Sequence, residues 1–115
     1  MDQNCIFCRI ISGESPAGIV HKDDHVIAFH DIHPAAPTHI LIVPIEHIQS
    51  INHLTEENTQ LIGHMFQIAK QLASDEGIQD SGYRLIINNG PDANQTVFHL
   101  HLHLLGGQPM RYPMG

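Results

Sequence analysis

His99-Leu100-His101-Leu102-His103 alternates histidine with leucine inside an apolar run from Val97 to Leu105. Successive side chains of a β-strand point to opposite faces, so a strand here would carry three imidazoles on one face and leucines on the other. Neutral imidazole is well suited to nucleophilic attack, proton transfer and metal binding near pH 7. The stretch therefore predicts a strand with one packed face and one chemically active face.

Two simpler explanations of the histidine triplet are accidental clustering and a metal site. The chain contains 11 histidines, so some clustering is expected. On a regular strand the outer two histidines would lie about 13 Å apart, at about 3.3 Å per residue, which is too far for both to bind one ion. Catalysis is therefore favoured over accident, and a metal would involve at most part of the triplet.

Length and charge limit the class of protein. The 115 residues predict a single domain, residues 1–115, which would gain stability by pairing with a second copy. Twelve acidic residues against five basic ones give a formal net charge of −7, which argues against a nucleic acid polymer as partner. The sequence shows no signal peptide pattern and no apolar run that could span a bilayer. We therefore expect a cytoplasmic protein with no membrane partner.

The two cysteines of the chain, Cys5 and Cys8, are separated by two residues. This spacing suits a metal site or a redox pair better than a structural disulfide of a secreted protein. Burial of both as small hydrophobic side chains is the simpler alternative. In a reducing compartment zinc is the first metal to consider.

Apolar runs predict the remaining strands. Residues 19–22 and 25–31 are two short strand-like runs separated by Asp23-Asp24, which indicates a hairpin. Residues 39–43 form a continuous apolar run that ends at Pro44 and is typical of a central strand buried on both faces. Residues 83–88 form a further strand before the histidine stretch.

One long helix is predicted from Thr55 to Asp75. Thr55 is a favourable N-cap, Gly77 is a natural residue to follow the C-terminus, and apolar residues recur between them at a spacing of three to four. Because the strands mostly follow one another without intervening helices, the pattern favours an antiparallel meander covered by this helix. The fold class is therefore α+β.

The chain resembles the Hint branch of the histidine-triad (HIT) superfamily. The resemblance rests on the histidine stretch and on six further blocks, in order and at compatible spacing across nearly the whole chain. These blocks are Ile6-Phe7, Ala28-Phe29-His30-Asp31-Ile32, Ala36-Pro37-Thr38-His39, Gly82-Tyr83-Arg84, Gln95-Thr96-Val97-Phe98 and Leu105-Gly106-Gly107.

The resemblance implies a HIT-like fold with a five-stranded antiparallel sheet, one long helix and a short N-terminal helix. It also implies a homodimer whose two sheets join into one, with a purine nucleotide site in each subunit and no organic cofactor. The activity it implies is hydrolysis of the P–N bond of purine nucleoside phosphoramidates, which join AMP or GMP to an amine.

The resemblance also implies the roles of individual residues. His101 would attack the α-phosphate and form a nucleotidylated imidazole, with His103 and His39 in the same catalytic group. His99 would orient His101 through its backbone carbonyl. Residues implied to contact the nucleotide, in addition to His101 and His103, are Phe7, Ile10, Phe29, His30, Asp31, Ile32, Asn88, Thr96 and Val97.

Many bacterial members of the family carry a similar cysteine pair in a structural zinc site. Here the site would consist of Cys5, Cys8, His47 and His99, which is a donor set suited to closed tetrahedral zinc. The sequence departs from the branch at Thr96, where serine is usual, and at Tyr112, which stands at a tryptophan position. These differences affect substrate preference more than reaction type.

Two alternative functions remain open. A dinucleoside polyphosphate hydrolase or nucleotidyl transferase of the same superfamily would use His101 with a pyrophosphate leaving group. A nucleotide-binding adaptor without enzymatic activity would not need an attacking imidazole. The presence of His39, His99, His101 and His103 together argues against the adaptor.

Overall fold

The fold is built on a five-stranded antiparallel sheet. A computed structural model describes residues 4–113. The strands are β1 (Ile19–Lys22), β2 (Val26–His30), β3 (Thr38–Pro44), β4 (Tyr83–Ile86) and β5 (Leu102–Gly106). They lie across the sheet in the order β1-β2-β3-β5-β4. The predicted α+β class and the predicted hairpin, β1 with β2, are confirmed.

Two helices accompany the sheet: α1 (Ile6–Ser12) and α2 (Thr59–Asp75). The long helix begins later than predicted because Glu56–Asn58 form a 3-10 turn, in which the Thr55 backbone N–H donates to Asn58 Oδ1 at 2.8 Å. Gly77 follows the helix with a φ of +73°, the left-handed conformation that favours glycine. Within residues 4–113, no helix is long and apolar enough to cross a membrane.

Helix α2 covers one face of the sheet. Its buried residues Met65, Ala69, Leu72 and Ala73 pack on alternate residues of the central strands. The strand residues in this layer are Val26, Ala28, Ile40, Ile42, Leu102 and Leu104. Every one of these six side chains is at most 1% exposed, so this layer is the main hydrophobic core.

Helix α1 lies on the opposite face. Its residues Phe7, Cys8, Ile10 and Ile11 pack in a second cluster with strand residues that alternate with those of the first. The strand residues are Ile27, Phe29, Leu41 and Val43. Strand β3 is therefore buried along its whole length and between two helical layers, as the continuous apolar run predicted. His39 and His103 also belong to the α1 face, because side chains two residues apart on a strand share a face.

The order of the last two strands differs from the predicted meander. Strand β5 lies between β3 and β4 and pairs antiparallel with both. This central position buries Leu102 and Leu104 against α2, whereas the half-buried residues of β4 form an edge of the sheet.

The prediction that all three triplet histidines share one strand face is wrong. Strand β5 begins at Leu102, so only His103 belongs to it. The preceding segment contacts the loop after β3: Leu100 N–H donates to Ile48 O at 2.6 Å, and His99 Nε2 donates to Pro44 O at 2.8 Å. These two contacts turn the chain away from a regular ladder, and His99 and His101 therefore have different surroundings.

Candidate functional site

A cavity of about 400 Å³ opens on the α1 face of the sheet. It lies between α1, the segment after β2 and the segment that carries the histidine triplet. Predicted nucleotide-contacting residues that line it are Phe7, Ile10, Phe29, His30, Asp31, Ile32, Thr96, Val97, His101 and His103. The cavity walls are mainly apolar, and the imidazoles of His101 and His103 stand at one side. This is the shape and lining expected of a small-molecule site.

Sequence reasoning missed part of the cavity wall. Ile6, Pro16, Ala17, His33 and Leu41 also line it. Leu41 had a signal in the sequence, since it follows His39 by two residues on one predicted strand. Pro16 and Ala17 had none, because the loop after α1 reaches the cavity only through the tertiary fold. Among residues 4–113, Asn88 is half-buried beyond the end of β4 and does not line this cavity, so its contact with a nucleotide stays a prediction.

The His101 imidazole is oriented by the backbone of His99. His101 Nδ1 lies 2.7 Å from the His99 carbonyl oxygen. A carbonyl only accepts hydrogen bonds, so Nδ1 carries the proton and Nε2 keeps its lone pair. The Phe7 ring packs edge-on against the His101 ring, with centroids 5.0 Å apart. Burial lowers the pKa of His101, although the hydrogen bond to His99 opposes this effect. The result is a neutral, positioned imidazole at the cavity wall.

A chain of hydrogen bonds runs from the backbone through His39 to His103, and we call these two histidines the relay. The Ala35 N–H donates to His39 Nδ1 at 2.9 Å, so a neutral His39 carries its proton on Nε2. His39 Nε2 lies 2.9 Å from His103 Nδ1 and 3.4 Å from Asp31 Oδ2. With His39 donating to His103 Nδ1, a neutral His103 carries its proton on Nε2. That Nε2 is buried and has no hydrogen-bond partner among residues 4–113.

The His103 ring stands beside the His101 ring, with centroids 5.0 Å apart. Burial, together with the neighbouring His101 and His39, lowers the pKa of His103 to about 4, although Asp31 opposes this effect. At neutral pH the cavity therefore presents one imidazole lone pair, on His101, beside one N–H donor, on His103. This combination suits a ligand with a phosphorus centre and anionic oxygens.

Asp31 combines a turn role with a position at the cavity. Its Oδ1 accepts from the His33 N–H at 2.8 Å, and its backbone N–H donates to His39 O at 3.0 Å. Both contacts fix the start of the loop after β2. The second carboxylate oxygen lies near His39 and the cavity, where it can accept from a hydroxyl group of a ligand.

A second cluster brings together Cys5, Cys8, His47 and His99, whose candidate ligand atoms all lie within 4.8 Å of one another. Cys5 Sγ lies 3.4 Å from His99 Nδ1, and Cys8 Sγ lies 3.2 Å from His47 Nδ1 and 3.6 Å from His99 Nδ1. Neither cysteine forms a disulfide bond within residues 4–113. We refer to these four residues as the Cys2His2 cluster.

The tautomer of His99 fits a metal ligand. Its Nε2 donates to the Pro44 carbonyl, so the lone pair of Nδ1 faces the two sulfur atoms. Burial lowers the pKa of His99 to about 4, which keeps the ring neutral. Two thiols and two imidazoles around one point are the donors that bind zinc in closed sites. The Cys2His2 cluster could therefore hold a metal ion.

His99 connects the two sites. Its side chain belongs to the Cys2His2 cluster, whereas its backbone carbonyl receives the Nδ1 proton of His101. The three histidines thus have separate positions: one in the cluster, one positioned by it, and one in the relay with His39.

Comparison with known proteins identifies the family. A family profile described as "Scavenger mRNA decapping enzyme C-term binding" matches residues 4–112. The purine nucleoside phosphoramidase of Escherichia coli K12 is 47% identical over 110 residues, which are 96% of this chain and 92% of that protein. The crystal structure of a HIT family hydrolase from Legionella pneumophila superimposes with a TM-score of 0.94 at 46% identity. That match covers 97% of this chain and 100% of the other. The chain belongs to the histidine-triad (HIT) family.

A plant relative bears on the Cys2His2 cluster of this HIT protein. The "14 kDa zinc-binding protein" of Zea mays is 43% identical over 116 residues, covering 99% of this chain and 90% of that protein. The fold and family that the sequence resemblance implied are confirmed. The roles of individual residues in this HIT protein stay predictions.

The buried relay makes the stability of this HIT protein sensitive to acid. The pKa of His103 falls from 6.5 in the unfolded chain to about 4 on folding, so the unfolded chain binds more protons between these values. The contribution to stability is complete above pH 6.5 and is lost progressively as the pH falls towards 4. We expect the free energy of unfolding, measured with urea, to fall by about 2 kcal/mol between pH 7.5 and pH 5 through this residue.

Two variants separate His103 from other titrating groups. His103→Asn removes the titrating ring and should reduce the difference between the two pH values, whereas His25→Asn, at an exposed histidine, should leave it as in the wild type. If the free energy of unfolding of His103→Asn falls between pH 7.5 and pH 5 as much as that of the wild type, His103 does not contribute to the acid sensitivity.

Proposed function

We propose that this HIT protein is a hydrolase that cleaves the P–N bond of purine nucleoside phosphoramidates through a covalent nucleotidyl-histidine at His101. The observation that carries the proposal is the hydrogen bond from His101 Nδ1 to the His99 carbonyl, which leaves Nε2 free beside the cavity. The 47% identity to a purine nucleoside phosphoramidase supports the choice of substrate.

The proposed reaction has two displacements at phosphorus. In the first, His101 Nε2 forms a bond to the α-phosphorus while the P–N bond breaks, and the leaving amine takes up a proton from solvent. In the second, a water oxygen forms a bond to the phosphorus, the bond to Nε2 breaks, a proton of that water returns to solvent, and the nucleoside monophosphate is released. Division of one difficult displacement into two is the general advantage of covalent catalysis.

The neighbouring residues stabilise the charge that develops in these steps. His103 Nε2–H is a buried donor without a protein partner and is assigned to a phosphate oxygen. His39 donates to His103 Nδ1, and this hydrogen bond keeps the proton of neutral His103 on Nε2. Thr96, at the cavity edge, is assigned to the leaving nitrogen or to a phosphate oxygen. Neutral donors of this kind act without the cost of burying a cation.

The remainder of the cavity is assigned to the nucleoside. The purine base would lie against the apolar side chains of Phe7, Ile10 and Phe29, whose burial leaves little freedom to move. The carboxylate of Asp31 would accept hydrogen bonds from the ribose hydroxyls. Ile32, which is 81% exposed, would cover the outer side of the base on binding.

We further propose that the Cys2His2 cluster holds a structural zinc ion. The donor set of two cysteines and two histidines and the orientation of His99 by the Pro44 carbonyl support zinc, and the zinc-binding plant relative agrees with it. A bound zinc ion would cross-link α1 to the loop after β3 and to the segment before β5. No chemical step of the proposed reaction passes through the metal.

A homodimer joined along β4 completes the proposal. Strand β4 is an edge of the sheet, and its Tyr83 is 37% exposed. Phe66 belongs to the predicted apolar stripe of α2 but is 43% exposed. A strand edge that is unpaired among residues 4–113, together with these exposed apolar side chains, supports association of two copies into one continuous sheet. The acidic net charge of −7 supports a small nucleotide over a nucleic acid polymer, and a cytoplasmic site of action without a membrane partner is retained as an expectation.

The substrate class is tested by direct comparison of two leaving groups. We expect kcat/KM for an adenosine phosphoramidate to exceed that for a diadenosine polyphosphate by at least about 100-fold. The reason is that no lysine or arginine of residues 4–113 lines the site and could stabilise a pyrophosphate leaving group. Release of AMP, followed by chromatography, measures both. Faster cleavage of the diadenosine compound would favour a polyphosphate hydrolase, and tight AMP binding without turnover of either compound would favour an adaptor.

A further inference from the structure

Three polar side chains meet at a place that is separate from both clusters described above. Asp23 Oδ2 lies 2.7 Å from His21 Nε2 and 2.7 Å from His64 Nε2. His21 belongs to β1, Asp23 to the turn between β1 and β2, and His64 to α2, so the contact joins the hairpin to the long helix.

The carboxylate of Asp23 is held in place by the backbone. Its Oδ1 accepts from the N–H groups of His25 and Val26, at 2.8 and 2.9 Å. The backbone N–H of Asp23 donates to Val26 O at 2.9 Å and closes the same turn. One carboxylate oxygen is therefore occupied by the turn, whereas Oδ2 points to the two imidazoles.

The helix fixes the third side chain. His64 is followed by Met65, which is 1% exposed and anchors α2 in the main core. The rotation of α2 is therefore set by packing, and His64 faces the hairpin from a defined position. The side chains of His21, Asp23 and His64 are 29%, 29% and 39% exposed, so water can reach the cluster.

Two imidazoles and one carboxylate are a donor set for divalent transition metals. One ligand atom from each residue lies within 4.8 Å of the others. Ligands bound at about 2.0 to 2.1 Å in tetrahedral geometry lie about 3.3 Å apart, so the two 2.7 Å contacts need to widen by about 0.6 Å each. Partial exposure allows that movement and leaves room for water as a further ligand.

The surroundings of the cluster are acidic. A cavity of about 610 Å³ extends from His64 along the start of the helical region, and its walls include Asp24, Glu46 and Glu57. Among residues 4–113, neither lysine nor arginine lines this cavity. The carboxylates in the walls of this cavity raise the local concentration of divalent cations.

We propose that His21, Asp23 and His64 form a second metal site, which binds zinc or a similar divalent transition metal and fastens the β1–β2 hairpin to α2. The site is open to solvent and has three protein ligands, so it binds more weakly than a closed site with four. It is independent of the proposed hydrolase activity, since none of its residues lines the nucleotide cavity.

The experiment is a Zn²⁺ titration by calorimetry on protein whose tightly held metal is retained after gel filtration. We expect one additional equivalent to bind with a Kd in the micromolar range. His21→Gln and His64→Gln should each raise that Kd by at least tenfold, whereas His53→Gln, at an exposed histidine outside the cluster, should leave it unchanged. Thermal unfolding without added zinc checks that each variant is folded.

Asp31, His39 and His103 form a third group whose ligand atoms lie within 4.8 Å of one another. The experiment must therefore show that the additional zinc does not bind to this group. His103→Asn should retain the additional equivalent. Loss of that equivalent in His103→Asn would place the metal in the nucleotide site and overturn the proposal. Absence of an additional equivalent in the wild type, or binding that survives both His21→Gln and His64→Gln, would show that the three residues form only a hydrogen-bonded cluster.

Discussion

Replacement of His101 by alanine is expected to lower kcat/KM for an adenosine phosphoramidate by about four orders of magnitude or more. The substitution removes the proposed nucleophile, and the remaining donors cannot replace a covalent step. The position is specific, because among the histidines of residues 4–113 only His101 combines an Nδ1–H bond to a backbone carbonyl with an available Nε2 beside the cavity. Steady-state release of AMP from the phosphoramidate measures the effect.

The accompanying binding measurement separates chemistry from folding. AMP should bind His101→Ala with a Kd within a few-fold of the wild-type value, because the apolar walls and Asp31 are unchanged. His33→Ala is the matched control: it also removes an imidazole from the cavity lining, but an exposed one, and should change kcat/KM only a few-fold. Substantial turnover by His101→Ala would contradict the covalent assignment.

The covalent intermediate itself provides a second check. Rapid acid quenching of the wild-type protein during turnover, followed by mass spectrometry, should reveal a fraction of chains heavier by one adenylyl group. The adduct should be absent from His101→Ala. Detection of the adduct on another histidine would transfer the role of nucleophile to that residue.

The elements that the sequence predicted well are those with strong local patterns. The continuous apolar run of β3 predicted a central buried strand, and Asp23-Asp24 between two short runs predicted the hairpin, as the structure has them. The periodic apolar residues of α2 predicted the helix, although its first turn is a 3-10 turn. In each case the deciding interactions lie within the element or between neighbours along the chain.

The stretch from His99 to His103 shows why other parts of the fold could not be predicted from the sequence. Its alternation is regular, but the contacts of Leu100 with Ile48 and of His99 with Pro44 override the local preference for a strand. Both contacts join residues about 50 positions apart in the sequence, and no local pattern reports them. The same applies to the position of β5 between β3 and β4, which depends on burial of its leucines against α2.

The candidate site also has one part that the sequence predicted and one part that depends on contacts between distant residues. Residue types and family resemblance identified the residues that line the cavity, but the relay from Ala35 through His39 to His103 depends on geometry that only the fold supplies. His21, Asp23 and His64 lie on three different elements, so their meeting also has no signal in the sequence.

Loss of the metal from the Cys2His2 cluster is expected to have the second large effect, on stability. We predict that Cys8→Ser lowers the zinc content after gel filtration from about one equivalent per chain to less than about a tenth. Cys8 is the informative position, because its sulfur contacts both His47 and His99. A metal present at about 1,000 times its Kd stabilises the folded state by about 4 kcal/mol. For a domain of this size that corresponds to a decrease in Tm of about 15 °C.

A chelator distinguishes loss of the metal from loss of packing in the same experiment. Removal of zinc from the wild type should lower its Tm to nearly the value of Cys8→Ser, and the chelator should leave the variant unchanged. Because His99 also orients His101 through its carbonyl, metal-free wild type should lose about tenfold in kcat while its Kd for AMP stays within a few-fold. Two results would contradict the zinc proposal: wild-type protein prepared without chelator that holds only traces of zinc, or a Tm that the chelator leaves unchanged. If the Tm falls and kcat does not, the cluster stabilises the fold but does not position His101.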